Sequence, residues 1–184
     1  MNKDATGLLY GLFASLLEYP TPDTRPQAEE CLAQLRKSQP EAAASLAIFS
    51  SAQATLTLAQ MQELYTITFD MQPVCYPYLG YQLFGESYKR GAFMAQLNQA
   101  YHAFGYSAGQ ELPDHLAVTL RFLGLDAANR QADFCQALLA EGLLPALRKM
   151  LQTFNKQSES PYFGLLSALH LFLAQTPEKE FDHA

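Results

Sequence analysis

The stretch SYKRGAFMAQLNQAYHAFG, Ser87 to Gly105, decides the fold class. Phe93, Leu97, Tyr101 and Phe104 recur at the three-to-four-residue spacing that lays side chains along one helix face. Ser87 stands where a helix starts, and Gly105 stands where one stops. Period-2 alternation, the mark of a half-buried strand, is missing here and is not convincing anywhere else in the chain.

Upstream, the same grammar repeats. Leu8, Leu9, Leu12, Phe13, Leu16 and Leu17 predict a packed first helix that stops near Tyr19, because Pro20 and Pro22 cannot continue it. A second helix is expected from about Pro26 to Lys37, and a third from Pro40, a good first-turn residue. Thr57 and Gln60 have the spacing of a capping box for a fourth, whose face is Leu58, Met61, Leu64, Tyr65, Thr68 and Phe69. A short helix from Tyr78 to Phe84 should end at Gly85.

Downstream, Pro113 should open a helix that closes at Gly124. Asp126 should cap one carrying Phe134, Leu138 and Leu139, and Leu143 to Phe154 should form another with Pro145 in its first turn. Ser160-Pro161 is a cap and a first-turn proline for Leu165, Leu166, Leu169, Phe172 and Leu173. The expectation is an all-α, bundle-like domain of about nine or ten helices. It covers residues 1–175, with a short charged tail over 176–184.

Composition narrows the function. The chain has 184 residues, enough for one sizeable core, and 49% of them are hydrophobic, which argues against disorder. A net charge of −6 disfavours nucleic acid, which needs a basic face, and suits a basic or amphipathic peptide instead. The apolar run Ala5–Leu17 follows only Lys3 and Asp4 and leads to no small-x-small cleavage site, so it reads as a helix rather than an export signal. No apolar run reaches the roughly 20 residues of a membrane-spanning helix. A cytoplasmic location is expected. Cys31, Cys75 and Cys135 lie far apart and read as three reduced, packed thiols.

Metal and catalytic signatures are lacking. His102, His115, His170 and His183 are scattered, without zinc-ligand spacing. Nothing resembles a phosphate-binding loop, a dinucleotide fingerprint or a nucleophile elbow. No cofactor and no catalysis are expected, although a Cys–His pair assembled in space stays open as an enzymatic alternative. His102 falls off its helix stripe and should be exposed, whereas His170 should be partly buried.

Tyr76, Tyr78, Tyr81 and Tyr88 crowd one segment beside the charged turn from Glu86 to Arg90. Tyrosine pairs an apolar face with a polar tip, which suits a surface dry on one side and wet on the other. A groove for an amphipathic helix needs such a floor with charges at its rim. Tyr81 and Tyr88 are the expected exposed rings and Tyr76 the structural one. Glu86 should meet basic residues of the peptide, while Lys89 and Arg90 have Glu86 and Asp70 as candidate internal partners.

Five segments taken together carry a resemblance: LLEYP (16–20), Phe69-Asp70, GES with Arg90-Gly91, ELPDHL (111–116) and SPY (160–162). In this order and spacing the chain resembles the nitrate reductase delta-subunit family, the NarJ-type molybdenum-cofactor assembly chaperones, related to TorD and DmsD. The resemblance runs from about residue 8 to 173 and rests most on ELPDHL and GESxxRG. It implies a helical cytoplasmic chaperone without catalysis. Its partner would be the apo catalytic subunit of a molybdoenzyme, held by its N-terminal segment until the molybdenum cofactor is inserted. A permanent, non-catalytic subunit of an oxidoreductase complex is the alternative.

The candidate peptide-contacting residues are Tyr81, Glu86, Tyr88, Arg90, Asp114, His115 and Arg121. Asp114, read as a first-turn residue, would meet the positive end of a helix dipole, and His115 would sit at the edge of the core stripe. Relatives usually carry an acid where this chain has Arg121. On a helix begun at Pro113 it would share a face with Asp114, roughly 10 Å along the axis, and both would present charge to a partner. A monomer is expected, with helix exchange into a dimer as the alternative.

Overall fold

The computed structural model describes residues 4–71, 73–154 and 159–175. Lys3, His183 and the expected tail, 176–184, lie outside the described residues. The Asp4 carboxylate accepts the Gly7 N–H and opens α1 (Ala5–Leu16). This helix ends three residues before Tyr19, although the Leu17 N–H still reaches the Phe13 and Ala14 carbonyls. Next come α2 (Thr24–Ser38) and α3 (Pro40–Thr55), the latter with its proline in the first turn. The capping box is present in both directions: the Gln60 N–H donates to Thr57 Oγ1 at 3.2 Å, and the Thr57 N–H donates to Gln60 Oε1 at 2.9 Å. It opens α4 (Leu58–Tyr65), which runs directly into a π-helical turn over Thr66–Asp70.

After α5 (Leu79–Phe84), Gly85 adopts φ +63°, a left-handed stop that L side chains rarely adopt. The decisive stretch forms α6 (Tyr88–Ala103), with Ser87 at its start, Leu97 and Tyr101 buried, and Gly105 beyond its end at φ +70°. Then α7 (Leu116–Leu123) begins behind an N-cap at His115 rather than at Pro113. Asp126 caps α8 (Ala127–Arg130) as expected, but that helix is one turn long. Phe134 and Leu138 belong instead to a run built from α9 (Asp133–Ala137), a π-helical stretch over Leu138–Leu143 and α10 (Leu144–Thr153). Pro145 lies in the first turn of α10, as expected, and the helix follows the π-helical stretch without a break. The change of helical register just before Pro145 accommodates the proline's missing donor. Last comes α11 (Pro161–Ala174) behind Ser160.

The fold is all-α. Among the described residues it holds eleven α-helices and two π-helical stretches. Its one β-type feature there is an isolated antiparallel bridge between Tyr78 and His115. The α11 helix lies along α3, and α1 packs against α2 and α7. Gly164 permits the closest approach, since a Cβ there would stand 2.8 Å from the Ser45 carbonyl oxygen. Aromatic rings fill the centre: Phe13 stacks on Phe172 at 5.4 Å, and Phe69 meets Tyr162 edge-on at 4.9 Å. Cys31, Cys75 and Cys135 are free and buried. Burial pushes the Cys31 and Cys75 thiols up to about 12, so neither supplies a thiolate near neutral pH. Among the described residues no helix is long and apolar enough to cross a membrane.

Candidate binding cleft

Two distant segments meet across one cleft. LLEYP ends α1 by burying Leu16, Leu17 and Pro20 and leaving Glu18 and Tyr19 exposed. The Gln62 side-chain amide donates to the Pro20 carbonyl at 2.9 Å, which fixes that turn to α4. ELPDHL forms the opposite side by a backbone exchange. The Leu79 N–H donates to the Asp114 carbonyl, and the Leu116 N–H donates to the Pro77 carbonyl, each at 2.8 Å. These bonds hold residues 114–116 extended against 77–79 and delay the start of α7.

The cleft between these segments has a volume of about 450 Å³. Tyr19, Tyr65 and Tyr106 give it aromatic walls, and Glu18, Glu111, His115 and Arg121 supply its ionisable groups. Tyr19 and Tyr65 meet edge-on with centroids 5.6 Å apart. The Tyr106 hydroxyl donates to the Val118 carbonyl at 3.0 Å. Burial raises the Tyr65 phenol to about 12 and moves that of Tyr106 upward too, so both remain neutral donors.

His115 is buried, and its Nδ1 accepts the Ala117 N–H at 3.2 Å, capping α7. A neutral ring in that role carries its proton on Nε2. Burial lowers the His115 pKa, while the nearby Glu111, Glu18 and Asp114 charges pull it back up.

Beneath the cleft lies an ion pair that joins the GESxxRG and ELPDHL segments. Arg90 Nε and Nη2 donate to Asp114 Oδ2 at 2.9 Å and Oδ1 at 3.3 Å. Asp114 is wholly buried, and the Arg90 guanidinium also lies over the Tyr78 ring, 5.2 Å from its centroid. Tyr78 in turn packs edge-on against His115 at 5.3 Å. Gly80 is required here: a Cβ would stand 2.7 Å from Asp114 Oδ2 and 2.9 Å from Arg90 Cγ. The Tyr101 hydroxyl donates to the Pro113 carbonyl at 2.7 Å and fixes the turn from below.

The structure thus redistributes the seven expected site residues. His115 and Arg121 line the cleft. Asp114 is neither in a first helical turn nor a presented charge, because the backbone exchange with 77–79 turns its side chain onto Arg90. Arg90 accordingly pairs with Asp114 and with neither Glu86 nor Asp70. Arg121 reaches Glu18, with Nη2 and Oε2 2.5 Å apart. Tyr81, Glu86 and Tyr88 do not line the cleft.

Tyr88 is 84% exposed, in line with expectation, whereas Tyr81, also expected to be exposed, is half-buried. Tyr76, expected to be structural, is exposed and packs on Tyr81 with centroids 4.1 Å apart. Tyr78 precedes α5 rather than lying in it. Beside this segment Leu83, Phe84, Phe93 and Leu97 line a separate apolar groove of about 310 Å³ that includes none of the four tyrosines. His102 is exposed and His170 half-buried, as expected.

The cleft also holds Glu18, Tyr19, Glu111, Tyr65 and Tyr106, which the sequence reading did not name as candidates. The first three lie in LLEYP and ELPDHL, so the motifs themselves carried a signal. Tyr65 and Tyr106 enter the cleft only through tertiary packing. Among the described residues no group of three or more His, Cys, Asp or Glu side chains is placed to hold a metal.

Comparison with known proteins adds three findings. The family model of the nitrate reductase delta subunit matches residues 28–167, well over half of the chain. Among curated proteins there is no match. A solved structure from Archaeoglobus fulgidus, described as that of a proposed redox enzyme maturation protein, is similar with a TM-score of 0.63 and 18% identity. That similarity covers 95% of this chain and 96% of the other, and it shows a shared fold.

Proposed function

The chain belongs to the nitrate reductase delta subunit family, and from that premise we propose that it is a redox-enzyme maturation chaperone whose cleft receives the N-terminal segment of an apo molybdoenzyme catalytic subunit. It works in the cytoplasm, holds that subunit until the molybdenum cofactor is inserted, and leaves afterwards. It binds without turnover. The observation that carries the reading is the convergence of LLEYP and ELPDHL on one acidic, aromatic-walled cleft.

The cleft chemistry supports a basic, amphipathic ligand. Tyrosine faces take apolar side chains, while their hydroxyls and the acidic rim take polar and cationic ones. Glu111 has one oxygen occupied, accepting the Leu112 N–H at 2.8 Å, which leaves the other available. His115 donates from Nε2 in its neutral form. Arg90 and Asp114 are positioning residues that hold the ELPDHL wall in place. Tyr81, Glu86 and Tyr88 enter the proposal only as outer contacts for a segment longer than the cleft.

The test is purification of the tagged chain from its host under anaerobic respiration, with mass spectrometry and a molybdenum assay on whatever accompanies it. One oxidoreductase catalytic subunit, recovered without molybdenum, is the expected result. The same subunit recovered fully loaded would favour a permanent structural role, and no oxidoreductase at all would reject both.

A further inference from the structure

Two ion pairs flank the ELPDHL wall, and they differ in kind. Arg90–Asp114 is made by two hydrogen bonds, with side-chain exposures of 19% and 0%. Arg121–Glu18 is made by a single hydrogen bond, with exposures of 37% and 48%. The first is built into the fold. The second crosses the cleft between the LLEYP turn and α7, and both of its members line the cleft.

Arg121 is also the sole cation among the lining residues. With one nitrogen engaged on one oxygen and both partners solvent-exposed, the pair is an exchangeable surface contact, the class whose members contribute little to stability.

We infer that Arg121 is an internal stand-in for the client's basic residue. It holds Glu18 Oε2 in the free protein and competes with a client guanidinium or ammonium for that carboxylate. The inference rests on the peptide reading of the cleft and adds a selectivity rule to it. A ligand without a suitably placed cation gains nothing from Glu18, because that carboxylate is already paired. A cationic ligand exchanges one ion pair for another and also frees the Arg121 guanidinium, a fork of donors that can take a carboxylate or carbonyl of the same peptide. The cleft therefore favours segments that carry a basic residue with an acceptor nearby over uniformly cationic ones.

The experiment measures binding of a synthetic 16-residue amphipathic peptide, with leucines at helical spacing and three arginines, to the full chain by calorimetry. The proteins are wild type, Arg121→Gln, Glu18→Gln and the double variant. Arg148→Gln, an exposed change away from the cleft, controls for net charge. Arg121→Gln should tighten binding about three- to fivefold, the scale of an exposed ion pair. Arg148→Gln should not, and the gain should vanish when Glu18 is already Gln.

A gain that persists without Glu18 reflects the general field and overturns the inference, as does wild-type affinity in Arg121→Gln. In either case the peptide reading survives, because wild type still binds. Absence of binding by every variant rejects the peptide reading of the cleft, and the inference with it.

Discussion

Asp114 and Arg90 show how much one side-chain partnership decides. Asp114 has no exposure and two hydrogen bonds from the guanidinium, so removing Arg90 strands a buried carboxylate. Arg90→Ala should cost about 3 kcal/mol in urea unfolding, while Asp114→Asn, which keeps an acceptor and removes the charge, should cost less.

His115 gives a pH prediction. The unfolded chain protonates it near 6.5, whereas in the folded state burial lowers the pKa. Below that value the unfolded state binds more protons, so stability falls as the pH drops from 7.5 to 5.5. His115→Asn keeps an N-cap acceptor and should flatten the slope. His170, lowered by burial and by Arg148, should account for part of what remains. An unchanged slope in His115→Asn, read by urea midpoints, would contradict the assignment.

At this scale the sequence was only partly legible. It marked Arg90, Asp114 and His115 as notable. It could not pair Arg90 with Asp114, because only the chain crossing between 77–79 and 114–116 brings them together.

Helices were the most legible elements. The caps at Thr57, Asp126 and Ser160 and the stops at Gly85 and Gly105 are chemical signals, and each stands at a helix boundary. Less legible were the two π-helical stretches. Their residues keep an ordinary apolar pattern, and only packing decides that the register widens. Pro145 stands in the first turn of α10, as expected, but the π-helical stretch runs into that helix without a break.

The element that most constrains the cleft is α5. It can approach ELPDHL because Gly80 leaves room for the Asp114 carboxylate and the Arg90 stem. Gly80→Ala should force them apart and destabilise the protein by about 1–3 kcal/mol, despite alanine's better helix propensity. It should also weaken peptide binding by moving the ELPDHL wall. A stabilised Gly80→Ala protein, measured by thermal unfolding, would show that the wall yields more easily than the packing indicates.

Across the whole molecule, the all-α class and the family resemblance followed from periodicity, caps and short motifs. The position of the cleft did not. The sequence reading joined the tyrosines around α5 and the start of α6 to Asp114, His115 and Arg121, whereas the structure gathers LLEYP, ELPDHL, Tyr65, Tyr106 and Arg121 into a cleft that those tyrosines do not line. Motifs name segments, but tertiary packing decides which of them meet.

The claim that this cleft receives the client's N-terminal segment is tested most directly by site-specific photocrosslinking. A benzophenone amino acid would replace Tyr19 in the cleft or, as a control, Ile48 on α3; the two positions are nearly equally exposed, at 53% and 52%. In the host, the account predicts a crosslink from position 19 to the first residues of a molybdoenzyme catalytic subunit, and none from position 48. Capture of that subunit from position 48 alone, or through a segment far from its N-terminus, would contradict it.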